Sequence, residues 1–217
     1  MTATLANLIM QTDYPVAFDS NDHLHPWGAA NDNTSCPAFL AACERIIKKR
    51  PIHYLDLGCA GGQLVREFID ADHIAVGVDG ATAAMRENWR ENPHNYFGAD
   101  ISRPFRLSLA TDFFWFDVIT AWEVPEHIPE ERVPQFAANI REHLHPAHGM
   151  FVASISTRPD VVDGHQYHVT VQPEEWWRKI FMQNGLVPVL SSFRKDEYAR
   201  TDPMSFHIVC RRAVTES

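Results

Sequence analysis

The stretch Trp122-Glu123-Val124-Pro125-Glu126-His127-Ile128 sets two carboxylates and an imidazole within five residues, directly after the apolar run FFWFDVITA. Three chemistries suit such a set: acids dressing a helix start, a general base with an orienting carboxylate, or metal ligands. Glu123, Glu126 and His127 stand at offsets 0, 3 and 4, so one helical turn brings all three toward one face, and Pro125 fits that first turn. A helix cap gives no reason for the imidazole. A general base uses His127 with one glutamate, which makes His127 and Glu123 the candidate catalytic pair. A metal site uses Glu123, Glu126 and His127 and asks for a fourth ligand, best placed at His168. Two carboxylates with two neutral imidazoles suit Mg²⁺, Mn²⁺, Fe²⁺ or Zn²⁺ better than Ca²⁺. His165, three residues earlier, has the ordinary reading of a loop histidine.

A second chemical signal is LDLGCAGG, residues 55–62. Glycines between a buried strand and a helix let backbone approach a ligand closely. The dinucleotide pattern GxGxxG asks for glycine at 58, 60 and 63, where this chain has Gly58, Ala60 and Gln63. Asp56 just before the turn would repel a pyrophosphate, whereas it suits a ligand bearing an ammonium and a sulfonium. Cys59 reads as a turn residue, since no basic neighbour in sequence lowers its pKa. Two more acids end the next strands: Asp79, before Gly80, where a carboxylate accepts ribose hydroxyls, and Asp100, placed to accept from an adenine amino group beside the Ile101 amide.

The elements that must hold these groups alternate. CPAFLAACERIIKKR spaces Phe39, Leu40, Cys43, Ile46 and Ile47 as a helix behind a Thr34/Ser35 cap. IHYLDLG, HIAVGVD, NYFGAD, FFWFDVITA and GMFVASIS read as strands. GQLVREFI, ATAAMRENWREN and EERVPQFAANIREHL read as the helices between them, the last with Pro134 in its first turn. An irregular segment runs to about Gln172, followed by a helix PEEWWRKIFMQN and the strands LVPVLSSF and SFHIVCRR. Adjacent Trp176 and Trp177 cannot share one narrow stripe, so one is expected in the core and the other at the substrate cleft. The alternation implies a mostly parallel sheet with helices on both faces. Residues 22–33, too polar for a core yet carrying Trp27, read either as a lid over the site or as a plain arm.

The 217 residues, 45% hydrophobic, suffice for one substantial α/β core. A net charge of −9 speaks against holding long nucleic acid by phosphate neutralisation and for a small or neutral substrate. Cys36, Cys43, Cys59 and Cys210 form no CxxC pair, which fits a reducing, cytoplasmic setting. No apolar run approaches the roughly 20 residues that cross a bilayer, and the opening residues carry no basic leader.

Taken in order, the glycine turn, the two strand-end acids and the closing strand pair resemble the class I S-adenosylmethionine-dependent methyltransferases, over roughly residues 37–212. The resemblance implies a Rossmann-like, doubly wound α/β fold: a seven-stranded sheet, mostly parallel with an antiparallel last strand. It divides the chain into an arm, 1–36, and a methyltransferase domain, 37–217. It also implies that the turn from Asp56 through Gly58, Cys59 and Ala60 to Gly62 holds the cofactor's amino-acid part, Asp79 and Gly80 the ribose, Asp100 and Ile101 the adenine, and Trp122 the methionine side or the substrate entrance. Ala60 departs from the family's usual second glycine. WEVPEHI resembles the E-x-x-E-H variant found in ubiquinone-pathway O-methyltransferases and in small-RNA ribose methyltransferases, where it accompanies a divalent metal. HQYHVTVQPEEWW resembles bacterial methyltransferases encoded near glycan or natural-product genes. The expected function is methyl transfer from S-adenosylmethionine to a hydroxyl of a sugar or other small molecule. Methylation of an RNA terminal ribose is an alternative that the acidic balance disfavours. From another class, a non-catalytic cofactor-binding protein acting through a partner stands beside it, and release of S-adenosylhomocysteine distinguishes the two.

Overall fold

The computed structural model of the chain describes residues 5–109 and 112–213. Its main sheet holds β1 (His53–Leu57), β2 (Ile74–Asp79), β3 (Tyr96–Gly98), β4 (Val118–Trp122), β5 (Met150–Ser156), β6 (Leu186–Pro188) and β7 (Ser205–Arg212). The spatial order is β6-β7-β5-β4-β1-β2-β3, with β7 antiparallel to both its neighbours and the other pairs parallel. This is the seven-stranded, doubly wound arrangement that the alternation and the resemblance imply. Strands covered on both faces need no polar alternation, which is why β2, β4 and β5 read as continuous apolar runs and are buried throughout.

Among the described residues, the helices longer than one turn that flank the sheet are α1 (Pro37–Ile47), α2 (Gln63–Asp70), α3 (Glu87–Glu91), α4 (Val133–His143) and α5 (Glu174–Gln183). One face buries Phe39 of α1 and Phe68 of α2 against Tyr54, whose ring stacks on Phe68 with centroids 3.9 Å apart. The other buries Phe136 and Ile140 of α4 with Trp177 and Phe181 of α5. Truncating one such fully buried aromatic to alanine costs about 3–5 kcal/mol. Pro134 sits in the first turn of α4, where its missing N–H leaves no intrahelical bond unmade. All four cysteines are buried and free. No helix among the described residues is long and apolar enough to cross a membrane.

Four elements differ from the sequence reading, each for a local reason. In FFWFDVITA the sheet strand begins only at Val118. Asp117 binds the His53 amide at 2.8 Å and Lys49 Nζ at 2.9 Å, and Asp112–Phe113 instead joins a separate antiparallel sheet with Arg106–Leu109 and Leu8–Gln11. ATAAMRENWREN breaks into a 3₁₀ turn, Thr82–Ala84, and α3. Arg86 between them is extended and sends its guanidinium to the carbonyls of Ala30 and Asp32. No Thr34 or Ser35 side chain caps α1: the Ser35 hydroxyl and the Cys36 amide both go to the Glu67 carboxylate. LVPVLSSF keeps three strand residues, after which the chain leaves the edge and Leu190 is fully exposed.

Candidate active site

At the carboxyl ends of β1, β2 and β4 lies a cavity of about 680 Å³. Six of the expected cofactor residues line it: Gly58, Ala60, Asp79, Gly80, Ile101 and Trp122. Parallel register sets the glycine turn opposite the end of β2, with Leu57 beside Val78. The Asp79 carboxylate accepts from the Ala60 and Ala81 amides, each at 2.8 Å. Burial raises its pKa to about 6, against the pull of those two amides. Gly58 has φ +74°, and a Cβ there would stand 2.5 Å from Val124 Cγ2, so any side chain is both strained and crowded. Ala60 also takes a left-handed conformation, φ +45°, at the position where a second glycine is usual.

The other expected cofactor residues stand behind this wall. Asp56 is buried within β1 and accepts from Thr120 Oγ1 at 2.7 Å; burial pushes its carboxyl up to about 7. Cys59 is buried, its thiol raised well above the ordinary range by burial. Gly62 caps α2 at φ +79°, and a side chain there would strike the Tyr96 ring. Asp100 accepts from the Ser102 amide at 3.0 Å and the Ser102 hydroxyl at 2.6 Å, and its own amide donates to the Tyr14 carbonyl at 2.8 Å. None of these four lines the cavity.

After β4 the chain turns sharply. Glu123 has φ +55°, its amide held by the carbonyl and the hydroxyl of Ser154 at 3.1 and 3.0 Å. Pro125–His127 then forms a 3₁₀ turn. Val169 and Thr170 donate their amides to the Glu126 carbonyl at 2.9 and 3.0 Å, which brings His168 alongside. One ligand atom each of Glu126, His127 and His168 lies within 4.8 Å of the others. Glu123 is not in this group: its Oε2 accepts from Ser205 Oγ at 3.0 Å and its Oε1 is buried without a partner. Of the four residues expected as ligands, three converge and Glu123 does not, because the left-handed turn at Glu123 sends its side chain toward β7.

Both imidazoles are oriented. His168 Nδ1–H donates to the Arg158 carbonyl at 2.7 Å, and His127 Nδ1 meets Asp22 Oδ2 at 2.9 Å. Each ring thus keeps Nε2 for a ligand. Burial opposes charge on His127, but Asp22 and Glu126 outweigh it and raise its pKa to about 9; burial lowers that of His168. Glu126 Oε1 accepts from the Ser156 amide at 2.8 Å, Oε2 has no partner, and burial pushes this carboxyl to about 8. The group can hold a cation or exchange a proton.

The N-terminal segment roofs the cavity. Asp22, His23, Trp27 and Asp32 line it; the turn Gly28–Asn31 packs against Thr82–Ala84, and the turn Asn21–Leu24 rests on the segment after β5. There Asn21 Nδ2 donates to the Gln166 carbonyl at 2.7 Å, and the His25 ring stacks on His165 at 3.5 Å. Asp22, Arg158, Tyr167 and Arg200 line the cavity although the sequence reading singled none of them out individually; Asp22 opens the 22–33 stretch and Tyr167 lies within HQYHVTVQPEEWW, while Arg158 and Arg200 belong to no motif. Neither Trp176 nor Trp177 lines the cavity: Trp177 is fully buried under the sheet and Trp176 packs beside it.

A family described as "Methyltransferase domain" matches residues 29–200. This chain belongs to that family. The match starts within the segment that roofs the cavity. Solved structures of similar fold include an S-adenosylmethionine-dependent methyltransferase from Clostridium acetobutylicum, 14% identical, covering 89% of this chain and 96% of its own, with TM-score 0.62. The CcbJ methyltransferase from Streptomyces caelestis is 14% identical, covers 90% and 96%, and has TM-score 0.60. Magnesium protoporphyrin IX methyltransferase from Synechocystis PCC 6803, solved with bound S-adenosylmethionine, is 14% identical, covers 81% and 78%, and has TM-score 0.55. No curated protein matches the chain in sequence. The methyltransferase fold accounts for the cavity's place, since ligands in open α/β sheets bind beyond the carboxyl ends of the strands.

Proposed function

We propose that this methyltransferase transfers a methyl group from S-adenosylmethionine to a hydroxyl oxygen of a sugar or another small molecule, beside a divalent ion held by Glu126, His127 and His168. The observation that carries the reading is the convergence of these three ligand atoms within 4.8 Å, with Nδ1 of both rings already engaged and Glu126 Oε2 unpartnered. A buried carboxylate oxygen without a partner beside two imidazole Nε2 atoms is the donor set of a small divalent ion, whose binding would release the His127 proton. Such an ion lowers the pKa of a nearby hydroxyl, while the cofactor's sulfonium supplies the methyl group and the driving force.

The chain's own residues then align and protect. Asp22 and the Arg158 carbonyl fix the two rings; Gly58, Ala60 and Asp79 line the cofactor end; Tyr167 and Val162 wall off water. Glu123 lines the cavity with Oε1 unpartnered and is the carboxylate left to take the acceptor's proton. A second reading, favoured by the 2.9 Å contact with Asp22, dispenses with the ion and makes His127 the base in its neutral form, so that the rate rises with pH toward 9. Release of S-adenosylhomocysteine from a panel of sugars and small alcohols, assayed after chelation and metal add-back, separates the two. Activity restored by one divalent ion and lost in His168→Ala supports the ion. Full activity after chelation removes it and leaves His127 as base. No turnover with any hydroxyl acceptor, but turnover with amines, refutes oxygen methylation.

A further inference from the structure

Two arginines line the cavity, and they belong to different parts of it. Arg158 stands with the histidine cluster: its carbonyl holds His168 Nδ1, and its guanidinium pairs with Asp202 at 3.1 Å. Arg200 stands with the glycine turn. Its Nη2 is bound to Asp32 and, at 2.8 Å, to Thr34 Oγ1, and the Asp32 carbonyl takes the Gly61 amide at 3.3 Å. Asn33, next in the chain, accepts from the Gln63 amide at 2.9 Å, so this strip lies directly on the turn.

The remaining donors of Arg200 are unused. Its Nε is buried without a partner, and its Nη1 makes no hydrogen bond among the described residues. Trp122 lines the same cavity, and its ring meets that of Tyr198, two residues before Arg200, edge-on at 6.4 Å. Donors left unmade are costly, so a guanidinium on the cavity wall with donors to spare suits an acceptor there. The rest of this end is acidic, with Asp32 and Asp79 both on the wall. An anion there needs a fixed cation to receive it, and a guanidinium matches the two oxygens of a carboxylate.

We propose that Arg200 receives the carboxylate at the amino-acid end of S-adenosylmethionine, with Asp32 holding the guanidinium in place. The proposal rests on the cofactor reading above. It assigns recognition of that carboxylate to residues outside the glycine motif, on a pair that joins the N-terminal segment to the loop before β7.

Titration calorimetry with S-adenosylhomocysteine and with 5′-methylthioadenosine, which keeps the adenosine and sulfur but lacks the amino acid, tests it. Arg200→Met is expected to weaken S-adenosylhomocysteine binding by roughly tenfold or more, while leaving 5′-methylthioadenosine within about twofold of wild type. Arg158→Met is expected to leave both affinities within about twofold. Equal weakening of both ligands in Arg200→Met, unchanged binding of S-adenosylhomocysteine, or a selective loss in Arg158→Met overturns the assignment. Should Arg200→Met not fold, the wild type decides: decarboxylated S-adenosylmethionine must bind roughly tenfold or more weakly than the parent, and equal affinity overturns the proposal. Wild type that binds neither S-adenosylhomocysteine nor 5′-methylthioadenosine overturns the cofactor reading itself, a result distinct from any ligand-selective one.

Discussion

Gly58 and Val124 couple the two chemical turns of the site at the scale of single atoms. The left-handed backbone of Gly58 and the 2.5 Å that a Cβ would leave to Val124 Cγ2 mean that an added methyl group strains the turn and pushes on the residue between Glu123 and Pro125. Gly58→Ala is therefore expected to lose about 1–3 kcal/mol in urea denaturation, from overpacking and positive φ together. Val124→Ala in the same background should recover part of that loss by vacating the space. Purely additive costs in the double-mutant cycle would show that the contact is not the cause. The left-handed Glu123 is a second point of strain, held by two bonds to Ser154. Backbone in this region costs on the order of 1–3 kcal/mol and persists where the surroundings over-determine it.

Among the elements, the N-terminal segment carries the most consequence. It has no broad apolar face of its own, and it is held by side chains that reach it from elsewhere: Arg86 at the Ala30 and Asp32 carbonyls, Arg200 at Asp32, and the Tyr167 hydroxyl at the His25 carbonyl. Phe18, Leu24 and Trp27 remain well exposed on it. A segment tied by a few polar contacts opens locally at low free energy, and a ligand beneath it closes that equilibrium. Chymotrypsin should cut at these residues readily in the free protein and several-fold more slowly with S-adenosylhomocysteine present. Arg86→Met should speed cleavage of the free protein. Equal rates with and without ligand would mean that the segment is a fixed wall rather than a lid.

For the whole molecule, buried titratable groups set the response to pH. His143 lies between the Leu107 amide, which donates to its Nε2 at 2.9 Å, and the Asn139 carbonyl at 2.8 Å. Burial depresses its pKa to about 4. The unfolded chain takes up this proton near pH 6.5, so His143 stabilises the fold fully above that pH, and the contribution is lost as pH falls toward 4, to the extent of about 3 kcal/mol. Asp56 and Asp79, raised to about 7 and 6, act in the opposite sense, since their protonated forms favour the folded state and that stability is lost as pH rises. Urea midpoints between pH 7.5 and pH 4 should therefore fall more steeply for wild type than for His143→Gln, and parallel profiles would refute the assignment to His143. Ligand linkage works on the same scale: S-adenosylhomocysteine at about 100 times its dissociation constant should add roughly 2.7 kcal/mol to folding stability. A thermal scan unmoved by saturating ligand would count against a native cofactor site.

The succession of continuous apolar runs and helix-period stretches, the glycines of LDLGCAGG and the strand-end acids made the sheet and the edge that carries the cavity legible in the amino-acid sequence, because each is a local pattern that one element enforces on itself. Proximity along the chain likewise placed Glu126 next to His127. Asp22 meets His127 across 105 residues, and Arg200 meets Asp32 across 168. Neither pair belongs to a motif, so only the path of the N-terminal segment over the strand ends brings them together. Glu123 left the expected ligand set for Ser205 because a left-handed turn, invisible in residue type, redirected its side chain. Trp177 entered the core, as expected for one of the pair, but Trp176 packs beside it rather than at the cleft, since α5 lies beside α4, on a face of the sheet away from the strand ends. Local sequence specifies which element forms and where it ends, whereas partners between distant elements depend on how the layers dock, and that is decided only when the whole core closes.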